Sequence, residues 1–268
     1  MNVYRTDEKP IWCPGCGLYG EIGSFVKALE ELAIPNYLVS FVTGIGCSAR
    51  AAGYANVYAV NGTHGESLPI AEGVKLANPE LTVIDQGGDG DIWAIGAGHV
   101  PHAVRKNLDI TLITCDNQVY ALTKGQRSPT TAFFEDEEAA GGEPDQPLDP
   151  LHDMLAFMST IKSGFVAQGI STKISHLAEL IKKAIIYKGF SYVHVQTPCV
   201  TYNDPEWIKF KKEKAVYLED GKEIILPNGE KIIYDSSDRR MALKITEVPL
   251  KERPYYGVIY QEKRRLIN

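Results

Sequence analysis

The chain has 268 residues, of which 44% are hydrophobic and 23% charged, with a formal net charge of −6. That size suits one large α/β domain with an appendage, and the acidic balance carries no nucleic-acid footprint. No apolar run is long enough to span a bilayer, and the first ten residues lack the apolar stretch of a secretory signal, so the expected location is the cytoplasm.

Taken in order, the first motif is Trp12-Cys-Pro-Gly-Cys-Gly17. Two cysteines around a Pro-Gly spacer can aim both sulfurs at one metal. Five cysteines are an odd count for a disulfide framework, and in a reducing compartment Cys-x-x-Cys more often means metal or redox chemistry. Residues 17–32 place Ile22, Phe25, Val26, Leu29 and Leu32 at helical spacing. Residues 37–42 read as a buried strand that runs into Thr43-Gly-Ile-Gly-Cys-Ser48, a glycine-rich turn with a third cysteine. A fourth, Cys199, follows a strand over 192–195. Cys13, Cys16, Cys47 and Cys199 are a possible set for Zn²⁺ or a 4Fe–4S cluster. The competing reading is one metal-binding pair plus buried apolar cysteines, as expected for the strand residue Cys115.

Asn61-Gly-Thr-His-Gly-Glu-Ser-Leu-Pro69 precedes a helix over 70–76. His64 there suits a backbone-lined cleft, in a hydrogen-bonding or a catalytic role; His99 and His102 read as structural. Residues 81–85 and 110–115 are β-branched runs, and residues 92–106 between them fit one helix, which makes a parallel pair with a right-handed crossover. Asp-Gln-Gly-Gly-Asp-Gly-Asp91 and Cys-Asp-Asn-Gln-Val119 fall just beyond the two strand ends, where open α/β sheets bind ligands. Gly87, Gly88 and Gly90 would let backbone approach an anion, and a helix starting near Asp91 would offer N–H groups to a phosphate. Asp89 fits beside a phosphate only with a cation between them. Asp89, the Asn117 amide and the Val119 carbonyl can supply oxygens to Mg²⁺, with diphosphate and water completing an octahedron. A glycine-rich turn with ordinary turn residues is the bland alternative.

Gly88-Asp-Gly90 followed by Asn117 resembles the thiamine diphosphate–magnesium motif. With Tyr120-Ala-Leu-Thr-Lys-Gly-Gln-Arg-Ser-Pro-Thr-Thr131, the chain is similar to the β subunits of 2-oxoacid:ferredoxin oxidoreductases from about residue 12 to about 203. The resemblance implies the thiamine diphosphate-binding fold: a mainly parallel sheet flanked by helices over 1–203, with 204–268 as an arm. It assigns the cofactor pocket to Gly44, Ile45, Gly46, Cys47, Ser48, His64, Gly88, Asp89, Gly90, Asp91, Asn117, Val119, Tyr120, Leu122 and Thr123. It matches Cys13, Cys16, Cys47 and Cys199 to cluster ligands and makes zinc the weaker option. The family's usual His-Gly-Arg reads His64-Gly65-Glu66 here, which puts a carried-over role for position 66 in doubt. Lys124 is a candidate point charge for a substrate carboxylate, against the bland reading of a solvated surface lysine.

The implied reaction is oxidative decarboxylation of a 2-oxoacid, pyruvate or 2-oxoglutarate, with coenzyme A and ferredoxin. The glutamate that acts on the aminopyrimidine usually lies in a second domain, and no second α/β unit is left over in this chain. An α subunit, with possible γ and δ subunits, is therefore expected to complete the site. The rivals are a non-redox thiamine decarboxylase or synthase subunit with zinc at the cysteines, and a zinc-stabilised binding subunit without thiamine.

Residues 130–149, rich in acids, Gly and Pro, read as an exposed loop; residues 151–157 and 175–187 read as helices, and 191–196 as the last core strand. Beyond 203, Asn228-Gly229 between two apolar runs marks a β-hairpin in the arm. The basic runs 209–214 and 263–265 are candidate docking points for an acidic electron carrier, with plain solvated surface as the bland reading.

Overall fold

A computed structural model describes residues 3–131, 154–203, 213–248 and 254–266. The helix α1 (Leu18–Leu32) forms because Leu18, Ile22, Phe25, Val26 and Leu29 fall on one buried face. It stops where Ala33 turns left-handed and returns its N–H to the Glu30 carbonyl. A 3-10 turn at Asn36–Leu38 takes the first residues of the expected strand, so β1 (Val39–Thr43) starts later and is buried throughout. Then come β2 (Tyr58–Asn61), α2 (Ser67–Ala77), β3 (Thr82–Gly88), α3 (Val100–Lys106), β4 (Ile110–Asp116), and the short pair β5 (Val119–Tyr120) and β6 (Gln126–Arg127). After residue 153 follow α4 (Met154–Thr160), β7 (Phe165–Ile170), α5 (Ile174–Ile186) and β8 (Ser191–Gln196). The last elements are β9 (Val216–Tyr217), β10 (Glu223–Ile225), β11 (Lys231–Ile233), α6 (Arg239–Thr246) and β12 (Tyr255–Gln261). The acidic loop expected over 130–149 and the basic run at 209–214 lie largely outside the described residues.

Eight strands form one sheet in the order β2-β1-β3-β4-β8-β7-β12-β9. From β2 to β7 every pairing is parallel. Helices α1 and α5 cover one face, where Phe25 stacks on Phe41 with ring centroids 4.6 Å apart. Helices α2, α3, α4 and α6 cover the other. Both faces being buried explains the near-continuous apolar runs of β1 and β4.

The crossover between β3 and β4 is not the single helix expected over 92–106. A π-type turn spans Asp91–Ile95, a 3-10 turn spans Ala97–His99, and only Val100–Lys106 is α-helical. Gly96 donates its N–H to the Asp91 carbonyl five residues back, at 3.0 Å. A Cβ on Gly96 would stand 2.9 Å from the Gly65 carbonyl, so close backbone packing demands glycine where helix continuity does not. Pro101 then starts α3 in the first turn, where its missing N–H costs no bond.

The hairpin expected around Asn228-Gly229 is present as β10 and β11, with Ile224 opposite Ile232. The expectation that residues 191–196 form the last core strand is corrected by β12, which pairs antiparallel with β7. Tyr234 is 2% exposed and donates its hydroxyl to the Ile259 carbonyl at 3.0 Å. Ile224, Leu226, Ala242, Ile245 and Ile259 join the core cluster of the main sheet. The arm thus completes the core it lies on. Truncation after residue 203 should expose the β7 edge and leave an aggregating chain without a cooperative melt by circular dichroism; a soluble, cooperatively melting fragment of residues 1–203 would contradict this.

Candidate functional site

Parallel pairing of β3 with β4 sets Gly88 beside Cys115, so Asp89 and Asn117 emerge together at the strand ends. The Asn117 N–H points at Asp89 Oδ1 across 3.5 Å. Asp89 is 2% exposed. Burial first, then the charge of Asp116, pushes its carboxyl up to about 7. The Thr130 hydroxyl lies 2.7 Å from Asp89 Oδ2 and 2.8 Å from Asp116 Oδ1. Asn117 Oδ1 accepts the Val119 N–H at 3.1 Å, an Asx turn that fixes the loop. The Val119 carbonyl accepts the Ala121 N–H at 2.9 Å. Each of these oxygens keeps a second lone pair.

A cavity of about 210 Å³ opens here. Its walls include Ile45, Gly46, Cys47, Ser48, His64, Gly88, Asp89, Gly90 and Asp91. Asn117, Val119, Tyr120, Leu122 and Thr123 complete them, with Leu18, Cys115, Ala121 and Thr197. Gly44 stands behind the wall: a Cβ there would lie 1.8 Å from Asp91 Oδ2. Lys124 is also off the wall, exposed on the loop with φ 79°. Not every glycine faces the cavity. A Cβ on Gly90 would strike the Tyr120 ring at 2.2 Å and one on Gly87 would meet Ile92 at 2.6 Å, so protein neighbours set both residues.

His64 Nδ1 lies 2.7 Å from Asp91 Oδ1, in ion-pair range but out of line for a hydrogen bond. Asp91 Oδ1 also accepts the Gly65 N–H at 2.7 Å. Burial raises the Asp91 carboxyl, and the Gly65 N–H and His64 pull it back. Glu66 turns away from the cavity to His99, with Oε2 3.3 Å from Nε2.

The cysteine segments are stitched to one another. Trp12 Nε1 donates to the Cys47 carbonyl at 2.8 Å, and the Gly17 N–H to the Pro198 carbonyl at 3.0 Å. Burial pushes the Cys16 thiol up to about 11, and the charges of Cys199, Cys47 and Cys13 add to the rise. The four thiols therefore share one neighbourhood, although among the described residues no three His, Cys, Asp or Glu are gathered tightly enough to hold a metal ion. All five cysteines are free, and Cys115 is buried.

The family described as thiamine pyrophosphate enzyme, C-terminal TPP binding domain, matches residues 44–195. The β subunit of 2-oxoacid:ferredoxin oxidoreductase 1 of Aeropyrum pernix is 40% identical over 238 residues, covering 88% of this chain and 71% of that one. This chain belongs to the 2-oxoacid:ferredoxin oxidoreductase β-subunit family. The 2-oxoglutarate synthase subunit KorB of Methanocaldococcus jannaschii is 35% identical over 84% of this chain and 85% of its own. A solved 2-oxoglutarate:ferredoxin oxidoreductase from Magnetococcus marinus, with 2-oxoglutarate, coenzyme A and succinyl-CoA bound, matches with a TM-score of 0.86 at 32% identity. The match covers 98% of this chain and 85% of that one. This oxidoreductase subunit thus carries the α/β fold of a thiamine diphosphate-binding domain.

Sequence reading missed several buried polar groups of this β subunit. Glu21 and Asp85 are fully buried, and burial pushes each up to about 8. Glu21 Oε2 accepts the Gln86 amide at 3.3 Å, and Gln86 also donates to the Ser48 carbonyl at 3.2 Å. The only signal was polar residues on the buried face of α1 and inside β3. Between the ordinary carboxylate range and about pH 8 the folded chain holds protons that the unfolded chain has released, so stability falls as pH rises through that window. The melting temperature of the cofactor-free protein should drop from about pH 5 to about pH 8, and Glu21→Gln should flatten the slope. Identical slopes would remove Glu21 from the account.

Proposed function

We propose that this chain holds the diphosphate end of thiamine diphosphate, through Mg²⁺, next to a 4Fe–4S cluster. The enzyme it serves oxidatively decarboxylates a 2-oxoacid, pyruvate or 2-oxoglutarate, with coenzyme A, giving acyl-CoA, CO₂ and reduced ferredoxin. The observation that carries this is Asp89: a carboxyl 2% exposed at a cavity wall, with no cationic side chain in an ion pair with it among the described residues. A buried charge of this kind calls for a counter-ion. Asp89 with the Asn117 and Val119 oxygens is a hard-oxygen set suited to Mg²⁺. Backbone at Gly88 and the Ser48 hydroxyl then face the phosphate oxygens, with Ile45 and Leu122 as apolar walls.

Bound there, thiamine diphosphate supplies the carbon nucleophile, and a cluster on Cys13, Cys16, Cys47 and Cys199 supplies a one-electron acceptor at short range. Cys13 is exposed on its turn. Asp91 holds the His64 ring at the cavity, ready to exchange a proton with substrate oxygen. Lys124, beyond Thr123, offers a point charge to a substrate carboxylate. Among the described residues, Asp89 and Asp91 are the acids that line the cavity; an α subunit supplies the carboxyl that meets the aminopyrimidine. Further subunits and ferredoxin complete the assembly, in a cytoplasm that keeps these thiols reduced. Among the described residues no helix is long and apolar enough to cross a membrane.

Anaerobic protein should carry about four irons per chain with broad visible absorbance, lost in Cys199→Ser. Mg²⁺-dependent thiamine diphosphate binding should vanish in Asp89→Ala. Colourless protein holding zinc and thiamine would instead be the subunit of a non-redox thiamine enzyme. Zinc without thiamine binding would make it a binding subunit.

A further inference from the structure

Behind Asp89 a buried polar row crosses three neighbouring strands. In the sheet register His194 on β8 is flanked by Thr114 on β4 and Gln168 on β7. His194 is 1% exposed, Gln168 1% and Asp116 3%. The Gln168 amide is fixed by its far end, because Nε2 donates to the Tyr255 carbonyl at 2.7 Å. Its Oε1 therefore accepts, from His194 Nδ1 at 3.0 Å and from Gln196 Nε2 at 3.3 Å. Gln196 is held in turn by the Tyr256 hydroxyl, which donates to its Oε1 at 2.6 Å. Nδ1 of His194 consequently carries hydrogen. Nε2 faces Asp116 Oδ2 at 3.0 Å, a contact that needs one proton between the two atoms.

The row runs one bond further on. Thr130 has one hydroxyl proton and stands between Asp116 Oδ1 and Asp89 Oδ2. Asp116, held from behind by His194, fixes the hydroxyl that touches Asp89 in front. We propose that His194 is a positioning residue for the cation site, acting through Asp116 and Thr130 to hold Asp89 oriented. This rests on the assignment of Asp89 to Mg²⁺ above. Partners behind a metal ligand tune its orientation and affinity without touching the ion.

The test uses the full chain with its co-purifying subunits and titrates Mg²⁺ at fixed thiamine diphosphate by calorimetry. His194→Phe, which keeps a ring but no donor, should raise half-saturating Mg²⁺ about tenfold to a hundredfold. Turnover at saturating Mg²⁺ should stay close to the parent. His194→Gln, which restores a donor towards Asp116, should recover most of the affinity. Thr130→Val, at the other end of the row, should reproduce the Phe result if that variant fails to fold. A lower melting temperature with Mg²⁺ affinity unchanged in both His194→Phe and Thr130→Val would overturn the proposal. With Asp89→Ala still losing the cofactor, that result would leave the Mg²⁺ assignment standing. Parent-like binding in Asp89→Ala would end both.

Discussion

A carboxyl group inside a protein persists only if something takes its charge or supplies its proton, and this chain buries several around one loop. Glu21, Asp85, Asp89, Asp91 and Asp116 are each at most 3% exposed. They are accommodated in several ways. Glu21 and Asp85 are pushed up to about 8 and hold protons near neutrality. Asp91 takes the Gly65 N–H and His64. Asp116 takes His194 and the Gln118 N–H. Asp89 has the Thr130 and Ser128 hydroxyls and one long N–H contact, with no cationic partner among the described residues, which leaves room for a divalent ion at the cavity wall. An ion bound only by the folded chain stabilises that chain by mass action, so on this account cofactor binding and fold stability rise together.

The sheet delivers this arrangement with little freedom. Parallel neighbours end at the same level, so an acid after β3 and an amide after β4 must meet. The glycines between serve packing as much as ligand approach: Tyr120 lies against Gly90, and Ile92 against Gly87. The cysteine neighbourhood is a second consequence. Cys47 follows β1 and Cys199 follows β8, at the same end of the sheet, and the Trp12 indole and the Gly17 N–H tie the first loop across both.

How far the sequence was legible follows from these same constraints. The β-branched runs of β3 and β4 and the periodic face of α1 are local signals, and they read correctly. Asp89 and Asn117 were legible because parallel pairing turns two sequence positions into one place. The crossover misled because Gly96 answers to Gly65 across the fold, a contact that no helical periodicity announces. Strand β7 was missed because its Gln168 and Gly169 interrupt the apolar pattern, and Gln168 is there for His194. Strand β12 was missed because the stretch after residue 203 read only as an arm. Its tyrosines bury their rings while Tyr256 sends its hydroxyl to a buried partner.

The most direct measurement replaces Mg²⁺ with Mn²⁺ and reads its magnetic resonance with and without thiamine diphosphate. The account predicts one Mn²⁺ per chain, bound tightly only with the cofactor and showing phosphorus hyperfine coupling from the diphosphate. Cofactor bound without any metal, or Mn²⁺ without phosphorus coupling, would contradict it.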